Sequence, residues 1–74
     1  MGLKFASISV HQARTAEFPL EFNTILKVNY HHSCGIRWQY FACSDLDSAT
    51  LSLLFSSLSV VSSVNIIPIS EFND

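Results

Sequence analysis

Between residues 18 and 30 the chain reads FPLEFNTILKVNY. Every second residue, from Phe18 through Leu20, Phe22, Leu26 and Val28 to Tyr30, is apolar, with Thr24 the one break. The residues between are Pro19, Glu21, Asn23, Ile25, Lys27 and Asn29, among which Ile25 is the aliphatic exception. Side chains alternate across a strand, so the pattern predicts a strand with one buried and one wet face. Pro19 removes a ladder donor, and thirteen residues exceed the usual strand length. A sheet edge or bulge at the start and a bend near Asn23 and Thr24 follow.

Residues 3–10 alternate Ala6, Ile8 and Val10 against Ser7, Ser9 and His11, which predicts a first strand with its even-numbered face toward the core. Residues 12–16, QARTA, lack the Gly, Pro or Asn of a tight turn and predict a longer irregular connection. Gly35 makes HHSCG at residues 31–35 the best turn signal, because it takes positive φ without steric cost. Residues 36–43, IRWQYFAC, form the third strand. A two-residue turn at Cys34-Gly35 sets Val28 against Phe41 and puts Trp38 and Tyr40 outside. A turn one residue longer puts both inside, since such a slip exchanges the faces.

Ser44 followed by Asp45 and Asp47 resembles a helix start, with both acids complementing the positive helix end. Leu46, Ala49, Leu53, Leu54, Leu58 and Val61 recur at helical spacing, widened by Leu51 and Phe55; Ser48, Ser52, Ser56, Ser59 and Ser63 form the opposite stripe. The helix frays near residues 60–63. A last strand follows over residues 64–69, its Pro68 suggesting an edge, and residues 71–74 read as a loose tail. The order is β-β-β-α-β: one α+β domain over residues 1–74, a small antiparallel sheet with one helix on its apolar face.

Composition sharpens this in two ways. At 74 residues the chain is near the lower size limit for a core without disulfides or metal, and 49% apolar content excludes an intrinsically disordered chain. Charge is scarce, at 14%, and uneven: Lys4, Arg14, Lys27 and Arg37 all precede residue 38, and residues 48–70 carry none. Such a surface associates readily, with itself or with a partner. The uncharged run is long enough to span a bilayer, but serines, Asn65, Pro68 and a change of period interrupt it, so no membrane span is expected. No secretory signal is visible, and two cysteines are too few for a disulfide framework; a cytoplasmic protein with reduced thiols is the expectation.

The chemistry candidates are few. His31, His32, Cys34 and Cys43 carry donors that suit zinc, yet adjacent histidines in a strand diverge, no C-x-x-C occurs, and Cys43 belongs to the far end of the hairpin. Cys34 beside His32 is a nucleophile–base pair in sequence only, without a third group or an oxyanion pocket. Asp45 and Asp47 are explained by the helix start, and the phosphate-cradling glycine motifs are absent from a chain with two glycines. No enzyme, metal or cofactor is expected.

What remains is a surface. Arg37, Trp38 and Tyr40 are the residue types that dominate protein contacts, and with His31 and Lys27 they are the candidate partner-binding residues. The expected function is non-enzymatic binding to a larger protein or ribonucleoprotein complex. Phage and mobile-element inhibitors of host defence, anti-CRISPR proteins among them, fill the niche that this size suggests. Two alternatives stand beside it. One is a single-stranded nucleic-acid module on the Arg37, Trp38 and Tyr40 face, weakened by four basic residues against six acids. The other is a homodimer that buries its helix or edge strand.

Overall fold

Two serines set where the helices begin in the computed structural model, which describes residues 2–72. Ser9 Oγ accepts the Gln12 N–H at 3.1 Å while Gln12 Oε1 accepts the Ser9 N–H at 3.0 Å; Ser44 Oγ accepts the Asp47 N–H at 3.4 Å. Each cap satisfies donors that the first helical turn leaves open. The chain runs β1 (Phe5–Ile8), α1 (Val10–Thr15), β2 (Thr24–His32), β3 (Gly35–Cys43), α2 (Asp45–Ser56), β4 (Val61–Pro68) and a 3-10 turn (Ile69–Glu71). The strands make one antiparallel sheet in the order β1-β3-β2-β4, with α2 packed on it. This is the predicted α+β fold, and Pro68 does lie on an edge strand.

The short helix α1 replaces the irregular connection predicted for residues 12–16. Its signal is the S-x-x-Q box at Ser9 and Gln12, which ends β1 two residues before the apolar alternation stops. The helix closes on Ala16 in the left-handed region, φ 55° and ψ 39°, with its N–H donating to Gln12 O.

The β2–β3 hairpin turns through Ser33-Cys34 and pairs His32 with Gly35, whose φ of 123° uses the freedom of glycine. This turn falls one residue earlier than the shorter prediction. Moving a turn by one residue shifts the pairing by two, so the side-chain faces are unchanged. Val28 now opposes Gln39 and Leu26 opposes Phe41. Trp38 and Tyr40 lie on the face away from α2.

That second face is not simply wet. On the α2 side, Leu26, Cys43 and Leu51 form a core edged by Phe41, Phe55 and Val64. On the other, Ile8, Ala13, Ile25, Tyr40 and Ala42 form a second core, closed by Phe18, Phe22, Ile67, Ile69 and Phe72. Ile25, the apparent flaw in the alternation, is therefore fully buried. The predicted long strand begins only at Thr24; before it Phe18 and Phe22 sit in a loop tucked against the second face with α1, whereas Leu20, predicted on the buried side, stands fully in solvent. Phe72 meets Tyr40 edge to face at 5.8 Å, so the supposed loose tail is docked that far. Asn73 and Asp74, the rest of that tail, lie outside the described residues.

α2 departs most from its prediction. Ser48 and Leu51 are buried beneath it, whereas Leu46 is 91% and Leu53 is 74% exposed. Leu58 sits in the following turn and Val61 in β4. The rotation follows Phe55, which stacks on Phe41 at 4.8 Å and meets Phe5 edge to face at 5.7 Å. Seating that ring points Ser48, two helical turns earlier, at the sheet as well. The serine hydroxyl is satisfied there by donating to Asp45 O at 2.8 Å. Leucines thus face solvent where periodicity alone assigns them to the core.

Candidate contact surface at the hairpin end

β1 is only four residues long and pairs with residues 40–43 of β3. Beyond Ile8 the chain leaves the sheet to form α1, so residues 35–39 of β3, paired with β2 on one side, have no strand on the other among the described residues. An open groove of about 590 Å³ occupies that position, lined by Ser7, Ile8, Ser9, Val10, Trp38, Gln39 and Tyr40. Gln39 Nε2 donates to Ser7 Oγ at 2.6 Å and fixes one wall.

The register distributes the predicted contact residues unevenly. Lys27, His31, Trp38 and Tyr40 share one face, in the cross-strand pairs Lys27 with Tyr40 and His31 with Ile36. Arg37 opposes Tyr30 and lies on the other face. Lys27 therefore stays with the aromatic pair while Arg37 is removed from the stacking surface that a nucleic-acid module requires.

Trp38 is 48% exposed, next to the exposed Ile36. Its ring carries the Lys27 ammonium 4.6 Å from the centroid, an arrangement that steadies the indole by ~0.5–1 kcal/mol at an open site. Tyr40 belongs elsewhere. It is 8% exposed, because Ile8, Ala13 and Phe72 close over it, and it is a core residue, not a contact residue. His31 is exposed at the strand end, with its backbone N–H donating to Val60 O at 2.7 Å.

Two groups here escape sequence reasoning. Ile36 adds apolar area beside Trp38, legible only once the turn is placed. Asn29 opposes Trp38, and its Oδ1 is buried without a hydrogen-bond partner. It sits where β4 slips by one residue against β2, between Asn29 and Tyr30. A bulge of this kind re-aims side chains and leaves a polar atom short of its partner. An orphaned buried acceptor costs about 1–3 kcal/mol.

The remaining polar groups are dispersed. His32 Nδ1 lies 3.3 Å from Ser33 Oγ and accepts a long bond from the Cys34 N–H at 3.5 Å. Cys34 is exposed in the turn and Cys43 buried at the opposite end of β3. Burial, then the Asp47 and Asp45 carboxylates, push the Cys43 thiol up to about 11, so it stays protonated and unreactive. Among the described residues no group of three His, Cys, Asp or Glu side chains is placed to hold a metal ion, and no helix is long and apolar enough to cross a membrane.

Fold and surface together define a small antiparallel α+β domain with an aromatic, half-open sheet end. No protein-family model matches the chain, and no curated protein or solved structure is significantly similar to it.

Proposed function

We propose that the chain is a non-enzymatic binding module whose contact surface is the hairpin end of the sheet, and that its partner is a larger protein or ribonucleoprotein complex. The observation that supports this is Trp38: a large ring left half in water, steadied by Lys27, flanked by Ile36 and opening onto a groove. Tryptophan set among near-neutral neighbours is the residue type that most often anchors a protein contact. Steric inhibition of the partner, as practised by small proteins of phages and mobile elements, is the sharper form of the proposal. It rests on size and on the surface.

The test is capture of a stoichiometric partner from a lysate of the source cells by the full chain, by Trp38→Ala and by Ile36→Ser. Both substitutions lie on exposed positions, so the fold should persist. Loss of the partner with each variant supports the reading. Retention by Trp38→Ala rejects this surface, and nucleic acid recovered in place of protein rejects the partner class.

A further inference from the structure

We infer that the hairpin end takes its partner as a strand: an extended, acidic, proline-free peptide segment that pairs antiparallel with residues 35–39 of β3, on the track that β1 leaves at Ser9. This rests on the reading of the Trp38 surface as a contact site and names the chemistry of what it contacts.

The backbone sets the first requirement. The His31 N–H donates to Val60 O, so odd residues of β2 turn their backbone groups toward β4 and even ones toward β3. Val28, Tyr30 and His32 pair with Gln39, Arg37 and Gly35, and those three residues of β3 therefore bond to β2. The N–H and C=O groups of Ile36 and Trp38 turn to the open side, where β1 reaches only as far as Tyr40 before Ser9 starts α1. An added strand finds two donors and two acceptors there, at ladder spacing. The five residues 35–39 are an ordinary strand length. A nucleic-acid backbone offers no such alternation of donors and acceptors in return.

Charge sets the second requirement. The only Lys, Arg, Asp or Glu residues in the four strands are Lys27 and Arg37. The described acids lie elsewhere. Glu21 and Glu71 flank the Thr24 end of the sheet, Asp45 and Asp47 follow Cys43, and Glu17 is held by Thr15 Oγ1 at 2.6 Å and His11 Nε2 at 3.4 Å. Lys27 sets its ammonium over the Trp38 ring on one face, while Arg37 stands exposed on the other. Successive side chains of an added strand fall on these two faces in turn. An apolar residue meets Ile36 and Trp38, and an acid on either face finds a cation. β4, the other open edge, carries no charge and shows no such preference.

The experiment selects a random peptide library on the immobilised full chain and measures the enriched peptides, synthesised with a fluorescent label, by anisotropy. Enriched sequences should be rich in Asp and Glu and lack a central proline. Trp38→Ala should weaken them by roughly 30-fold or more and Arg37→Glu by roughly 10-fold. Both positions are exposed, so circular dichroism should show each variant folded. Two readouts need no variant: amide exchange at Ile36 and Trp38 should slow in the complex, and N-methylation of alternate peptide amides should abolish binding in one register only. Neutral or basic peptides, tolerance of methylation in both registers, unchanged exchange at Ile36 and Trp38, or a library without binders each overturn the inference. Displacement of the peptide by an equal concentration of oligothymidylate does so too, in favour of nucleic acid. Where peptides of the wrong kind still lose affinity with Trp38→Ala, strand pairing falls and the contact surface stands. Peptides held equally by wild type and Trp38→Ala reject the surface itself.

Discussion

At the Thr24 end of the sheet both faces are closed: Ile25 and Leu26, consecutive residues pointing opposite ways, are both completely buried. At the hairpin end of the same two strands, Ile36 and Trp38 stand in water and Asn29 is left with an unpartnered oxygen. The alternation of side chains is the same at both ends. The difference lies in what covers them. α2 caps one face, while α1, the 18–22 loop and Phe72 cap the other, and all of these layers stop short of the turn. Apolar residues thus support the fold at one end and remain available for contact at the other.

The sharpest way to break this comparison is to cut one aromatic ring from each end. Tyr40→Ala opens the second core and should cost about 3–5 kcal/mol, enough to unfold much of a domain this size. Trp38→Ala, two residues away, should cost about 1 kcal/mol or less, chiefly the lost Lys27 contact. Urea denaturation followed by circular dichroism measures both. Equal losses would mean that the hairpin end is as much core as the closed end.

Smaller effects sharpen the contrast. Asn29→Val removes the orphaned acceptor and should stabilise the hairpin end by about 1 kcal/mol, read as a higher urea midpoint. At the closed end, Ala16→Gly should stabilise by a similar or slightly smaller amount, about 1 kcal/mol, since glycine holds a left-handed cap without the Cβ clash. The two cysteines report on the same divide. A thiol reagent should label Cys34 rapidly at neutral pH and leave Cys43 untouched until unfolding. In the unfolded chain the Cys43 thiol ionises near its ordinary 9.0, whereas in the folded chain it holds its proton to about 11. Its contribution to stability is therefore present below pH 9 and declines as pH rises from there to 11. Cys43→Val should flatten that part of the pH–stability curve relative to wild type.

Much of the fold was legible because strand alternation, the Gly35 turn and the Ser44 cap are local signals. Burial of the second face was not, since Phe18, Phe22 and Phe72 reach Ile25 and Tyr40 only through the tertiary course of the loop and tail. Periodicity also misassigned α2. Leucine and serine stripes of equal spacing leave the helix free to rotate, and the Phe5, Phe41 and Phe55 cluster chose the side with the serine inward. Of the contact residues, Trp38, Lys27 and His31 fall on one face as the sequence allows; Arg37 falls on the other by simple alternation, and Tyr40 is claimed by the core.

The most direct test of the hairpin-end surface is a side-by-side capture by wild type, Trp38→Ala and Leu53→Glu at matched folded concentration. The account predicts a partner held by wild type and by Leu53→Glu but lost from Trp38→Ala, whose urea midpoint stays close to wild type. A partner held undiminished by Trp38→Ala, or lost only with Leu53→Glu, would contradict it and move the functional surface to the leucine face of α2.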